Sequence, residues 1–189
     1  VYSQAFESAV NHEMKYEVGG FWSLDNPGAI DGTSDKYTGY TNDPNDPGGE
    51  TKYGIAENEN PDIDVKNLNW EQAKHIYFDR YWIPSHCDDM PGRLAALHFD
   101  GSINIGLASA AKLIQRAVNV TVDGKIGQET IEAIKNADEI ALCNSVCDER
   151  ADYYRNIVQR KPTQAKYLRG WLIRVEEMRH FVTDPDGQF

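Results

Sequence analysis

The chain has 189 residues, enough for one domain with a full core, and its 40% hydrophobic and 11% aromatic content excludes intrinsic disorder. A formal net charge of −11 leaves no basic stripe to displace the counterions of a nucleic acid, so no nucleic-acid partner is expected. The same charge means that an anionic polymer must be held locally, by hydrogen bonds, aromatic faces and a few Lys or Arg.

The first element is a helix over 3–17, where Phe6, Val10 and Met14 fall on one helical face, and Gly19-Gly20 stops it. Residues 21–53 mix Gly, Pro, Asp, Asn, Ser and Thr with scattered aromatics. They read as loop and short hairpin, too long for an idle connection, and long ordered loops tend to carry function. Asn69 with Gln72 has the spacing of a capping box that opens a helix from Trp70 to about Ile83, and Pro84 ends it. Further helices are expected at 92–104, 107–118, 127–136, 138–160 and 164–181. They are separated by Gly106, the Val122-Asp123-Gly124-Lys125 turn, a break near Asp138, and Lys161-Pro162. The tail Asp184-Pro185-Asp186-Gly187 reads as frayed. The fold class is therefore mainly α, with a small irregular or β-hairpin lobe after the first helix.

No run of 18 or more apolar residues is present, so no transmembrane helix and no membrane insertion are expected. Val1-Tyr2-Ser3-Gln4 lacks the basic start and apolar run of a signal peptide, so synthesis in the cytoplasm is expected. The cysteines Cys87, Cys143 and Cys147 are no disulfide framework. Cys143 and Cys147 stand four apart on a helix without a His or second Cys pair to complete a metal site, so they read as buried apolar side chains. Neither a metal nor a cofactor is expected. A calcium loop beginning at Asp43 fails as an EF-hand, because its twelfth ligand falls on Gly54.

The most informative stretch is Asn42-Asp43-Pro44-Asn45-Asp46-Pro47-Gly48-Gly49-Glu50-Thr51-Lys52-Tyr53-Gly54-Ile55. A core has no use for so much acid, hydroxyl and backbone freedom. Upstream, Glu17 closes the first helix and runs through Val18 into the Gly pair. Cleaving a glycosidic bond needs a protonated carboxyl at the leaving oxygen and a carboxylate or positioned water on the other side. Glu17, with Tyr16, Val18, Phe21 and Trp22 as sequence neighbours, suits the acid; Asp46, among prolines and glycines, suits the ionised partner. Thr51 then helps Asp46 orient the water. That division points to inversion, with carboxyls roughly 6.5–9.5 Å apart.

Each residue also has a plainer reading. Glu17 can be a solvated charge at a helix end, and Glu13, one turn earlier, is the rival acid. Asp43 and Asp46 can be turn formers, and Thr51 a turn hydroxyl. Tyr53 and Tyr40 are candidates to stack on sugar faces, whereas Trp82 reads as core. Asn104 is a candidate sugar contact or a polar residue bonded to backbone, and His98 reads as packing or surface.

These motifs resemble glycoside hydrolase family 108, the phage and bacterial N-acetylmuramidases. The resemblance is carried by Glu17 with Gly19-Gly20-Phe21, by the Asp43-to-Ile55 run, and by Glu71-Gln72-Ala73 through Tyr81-Trp82. The second half resembles the predicted peptidoglycan-binding segment found with that family. It matches at Phe99-Asp100-Gly101-Ser102-Ile103-Asn104-Ile105-Gly106, Gln115-Arg116-Ala117, Val122-Asp123-Gly124-Lys125-Ile126-Gly127 and Gly170-Trp171-Leu172-Ile173-Arg174-Val175. The resemblance implies a lysozyme-like helical fold, with Glu17 as the acid and Asp46 and Thr51 as the water-positioning pair. It divides the chain into a catalytic region, 1–95, and a helical peptidoglycan-binding-like region, 96–183, packed as one globular unit. Val18 between the acid and the Gly pair, and the inserted residues 22–41, depart from the family pattern.

The implied activity is that of an endolysin-like muramidase, cleaving the β-1,4 bond between N-acetylmuramic acid and N-acetylglucosamine in bacterial peptidoglycan. Host lysis would then need a holin to bring a cytoplasmic, monomeric enzyme to the periplasmic wall. A non-catalytic wall-binding module and a lytic transglycosylase are the alternatives; the latter needs no water-positioning Asp46.

Overall fold

A computed structural model describes residues 1–18, 38–42 and 49–189. Its described elements run in the order α1 (Gln4–Glu17), β1 (Thr51–Lys52), β2 (Ile55–Ala56), α2 (Trp70–Tyr77), α3 (Gly92–Ile105), α4 (Leu107–Ala117), α5 (Gln128–Lys135), α6 (Glu139–Arg160) and α7 (Ala165–Thr183). Each helix lies where the periodicity puts it, within a residue or two at the ends, apart from the second. There the α-helix stops at Tyr77 and a single π turn continues over Phe78–Trp82 before Pro84. The capping box that opens α2 is complete: Asn69 Oδ1 accepts from Gln72 N, and Gln72 Oε1 accepts from Asn69 N, both at 2.9 Å. Asp138 likewise caps α6, accepting from Ala141 N at 2.8 Å.

The chain forms two compact units, residues 7–80 and residues 81–189 joined by residues 1–6. The larger unit is built on an aromatic triad: the Phe6 ring lies 5.3 Å from Trp82 and 5.8 Å from Phe99, each edge-on. Leu94, Leu113, Ile114, Ile134, Val146 and Met178 extend that core along α3 to α7. Cys143 and Cys147 are buried with them, and burial pushes both thiols up to about 12, so they pack as apolar groups.

Gln115 on α4 fixes the Val122–Lys125 turn. Its amide nitrogen donates to Asp123 Oδ1 (2.7 Å) and to the Lys125 carbonyl (2.9 Å), while its oxygen accepts from Gly124 N (2.8 Å). A buried amide satisfied on both ends is how this turn keeps one shape.

At the centre of the unit lies a buried ion cluster. Asp100 on α3 accepts from Arg150 on α6 through Oδ2, and from Arg174 on α7 through Oδ1 at 3.1 and 2.8 Å. Asp100 and Arg150 are almost fully buried. Burial works against the Arg150 charge, but Asp100 and Tyr154 outweigh it and raise its proton affinity further. Such a cluster costs desolvation, and its geometry ties three helices to one carboxylate.

The tail is anchored rather than frayed. Arg93 Nη1 donates to the carbonyls of Val182 (2.8 Å) and Asp184 (2.6 Å), and its guanidinium lies 4.9 Å from the Phe189 ring, which packs on Phe181 at 5.0 Å. His98 is buried, with its pKa lowered to about 4 by that burial, which places it in the core rather than at the surface.

Candidate active site

In the 7–80 unit the last turn of α1, the β1–β2 hairpin and α2 come together. Lys52 pairs with Ile55 across a two-residue turn made by Tyr53 and Gly54, whose φ values are +53° and +74°. Consecutive positive φ values suit the tightest hairpin turn; glycine adopts them freely, tyrosine at a cost. Two bonds offset that cost. Tyr53 N donates to the Thr38 carbonyl at 2.7 Å, and Tyr77 Oη donates to the Tyr53 carbonyl at 2.8 Å. The Tyr53 ring packs 5.6 Å from Trp70, and burial raises its phenol pKa.

This turn is held against Glu17. A methyl group on the Gly54 α-carbon would stand 2.6 Å from Glu17 Oε2 and 2.8 Å from Tyr77 Oη. Only glycine lets the backbone approach the carboxylate so closely. Gly39, at φ +61°, makes a similar approach to Val18 and the Glu17 carbonyl. Glu17 itself is half-buried at the C-terminal end of α1, whereas Glu13 is 1% exposed. A substrate can reach the first and not the second.

Thr51 begins β1. Its backbone exchanges two hydrogen bonds with Thr41, at 2.9 and 3.0 Å, and on its other side it stands opposite Ala56 of β2, which leaves a half-exposed residue on a strand flanked on both sides. Tyr40 and Asn42 both donate to Glu50 Oε1 at 2.9 Å, so the Tyr40 hydroxyl is engaged while the residue stays half-exposed. Tyr53 is only 3% exposed; it supports the hairpin and offers a sugar little ring face. Asp43 and Asp46 lie outside the described residues. Asn104 belongs to the other unit, exposed near the end of α3, where its Oδ1 accepts from Tyr154 Oη.

The structure thus brings together Glu17, Gly54 and Tyr77 around the hairpin that Thr51 starts. Tyr77 and Glu50 are the residues the sequence reading missed. Tyr77 lies two turns after Trp70 on the buried face of α2 and looks like core until its hydroxyl is seen on the Tyr53 carbonyl.

Residues 31–106 match the family model described as Glycosyl hydrolase 108, and residues 109–176 match the Predicted Peptidoglycan domain. The hairpin lies inside the first match and Glu17 ahead of it. The junction of the two matches falls between α3 and α4, within the larger compact unit. No curated protein matches the chain. Among solved structures, SagA of Brucella abortus is similar, with a TM-score of 0.69 and 26% identity over 96% of this chain and 97% of that one. The fold is mainly helical and lysozyme-like.

Proposed function

We propose that this chain, whose residues 31–106 match the Glycosyl hydrolase 108 model and whose residues 109–176 match the Predicted Peptidoglycan domain, is a glycoside hydrolase of peptidoglycan and, more narrowly, an N-acetylmuramidase. The bond cleaved is the β-1,4 link between N-acetylmuramic acid and N-acetylglucosamine. The observation that carries this reading is the seat of Glu17, a half-buried carboxyl at a helix end with a glycine turn closed against it.

Glu17 is the general acid. It stands beside buried Val18 at the C-terminal end of α1, with the Gly54 turn and the Tyr77 hydroxyl close to its carboxyl, and in this reading it gives its proton to the leaving oxygen. As its proton passes to the glycosidic oxygen, positive charge builds on the sugar ring and water attacks the anomeric carbon from the opposite face. In this reading Asp46 takes the water's proton and Thr51, fixed on β1, orders that water. Inversion follows. The biological role is wall lysis, with a holin-like partner giving access to the wall.

The test is clearing of outer-membrane-stripped Gram-negative walls, with mass spectra of the released fragments. Glu17→Gln, folded as the parent, is expected to lose roughly 10²- to 10⁴-fold in rate, the usual contribution of a general acid. Fragments should end in reducing N-acetylmuramic acid. Clearing that survives the substitution would remove Glu17 from the mechanism. Anhydro ends, with activity retained in Asp46→Asn, would identify a lytic transglycosylase, and no clearing by the parent would leave a wall-binding module.

A further inference from the structure

Between α4 and α6 lies a cavity of about 490 Å³, and helical period explains its walls. Lys112 and Arg116 stand four apart on α4; on α6, Glu149, Tyr153 and Arg160 recur at intervals of one and two turns. The α6 wall thus offers polar and apolar groups to one groove. All of it lies inside the span that matches the predicted peptidoglycan domain.

The charges in this groove do not cancel. Arg116 Nε is taken up by Glu149 Oε2 at 2.6 Å, and the other lining carboxylate, Asp152, is held by Arg155 at 2.8 Å. Lys112 and Arg160 make no ion pair with any described residue. In a chain of net charge −11, two uncommitted cations at one concave site run against the overall field. Half-buried Tyr153 and Ile157 supply an apolar floor between the charged rims.

We propose that this groove binds a short peptide bearing free carboxylates, the chemistry of the stem peptide that peptidoglycan carries on its muramic acid. Lys112 and Arg160 take the carboxylates, and the Tyr153–Ile157 floor takes the aliphatic part of the chain. The inference rests on the peptidoglycan reading for the identity of its ligand. It gives the helical half a role of its own: it reads the peptide, while the hairpin unit acts on the sugar. Glycan strands that keep their stems would then be held better than stripped strands.

The probe is a synthetic stem tripeptide, L-alanyl-D-glutamyl-diaminopimelate, titrated calorimetrically into the full chain. Lys112 and Arg160 are exposed, so replacing both with Ala spares the core. The double variant Lys112→Ala/Arg160→Ala is expected to bind roughly tenfold more weakly, as suits the loss of two rim charge contacts. Amidating the tripeptide's carboxylates should weaken binding to the unchanged chain by a similar factor. Equal affinity of parent and variant, equal affinity for the amidated tripeptide, or no binding by the parent would each overturn the proposal.

Digestion separates this proposal from the muramidase reading. The parent should show a lower KM for stem-bearing strands than for amidase-stripped ones. The double variant should lose that difference and keep its kcat on stripped strands. Equal KM on both substrates in the parent would remove the groove and leave the hydrolase. Absence of cleavage, with tripeptide binding still dependent on the two cations, would remove the muramidase and leave the groove.

Discussion

Residues 81–189 and residues 7–80 keep their shape by different means. The larger unit is held by long helices, an aromatic triad and a buried carboxylate shared by two arginines, so its stability is spread over many partners. The smaller has two-residue strands, and its hairpin depends on a few unusual conformations, each fixed by one or two bonds. Among the described residues, the proposed chemistry sits where a two-residue-stranded hairpin meets the end of a helix. A turn that must bring backbone against a carboxyl cannot be a helix, and its neighbours must supply the rigidity it lacks.

The sharpest test of this contrast is Asp100→Ala. It leaves Arg150 buried without its carboxylate and should cost about 3–5 kcal/mol in urea unfolding, more than any single change in the hairpin. A cost below that of the hairpin variants would break the contrast.

Next in size is a pH effect from His98. Its pKa is lowered from 6.5 to about 4 by burial, so between those values the unfolded chain binds more protons than the folded one. Stability is then fully present above pH 6.5 and declines as pH falls toward 4, by about 3 kcal/mol in total. Unfolding midpoints measured across that range should slope downward with acid, and His98→Leu should flatten the slope.

Gly54→Ala belongs to the other side of the comparison. At φ +74° the new side chain is strained by about 1–2 kcal/mol, and it meets the Glu17 carboxylate. Wall clearing should fall far more than the melting temperature. Equal fractional losses would mean that the turn is structural only. The smallest effect is Asn69→Ala, which removes one arm of a capping box and should cost about 1 kcal/mol in thermal unfolding.

Much of this contrast is legible in the sequence, and unevenly so. The helices are, because apolar spacing, Asn69 with Gln72, and the breaks at Gly106 and Pro162 are local signals read over a few residues. The π turn at Phe78–Trp82 carries no such signal; it shifts the register so that Trp82 reaches Phe6 and Phe99. The anchored tail is illegible for the same reason, since its guanidinium partner, Arg93, lies about ninety residues earlier. At the site, Glu17 and the Tyr53-Gly54 turn stand out by their glycines. Tyr53 is misread as a sugar platform because exposure, which decides that role, is a property of packing with Trp70 and not of residue type.

The buried carboxylate of α3 also bears on how such chains can be recombined. Asp100 lies before the junction of the two family matches, while Arg150 and Arg174 lie after it. A chimera spliced at Gly106, joining this hydrolase segment to a foreign peptidoglycan domain, would strand an anion in one piece and two cations in the other. The chain matches two family models and yet has no seam between them, since their junction lies inside one compact unit. A working exchange would have to carry α3 together with α6 and α7, so that the carboxylate travels with both of its arginines.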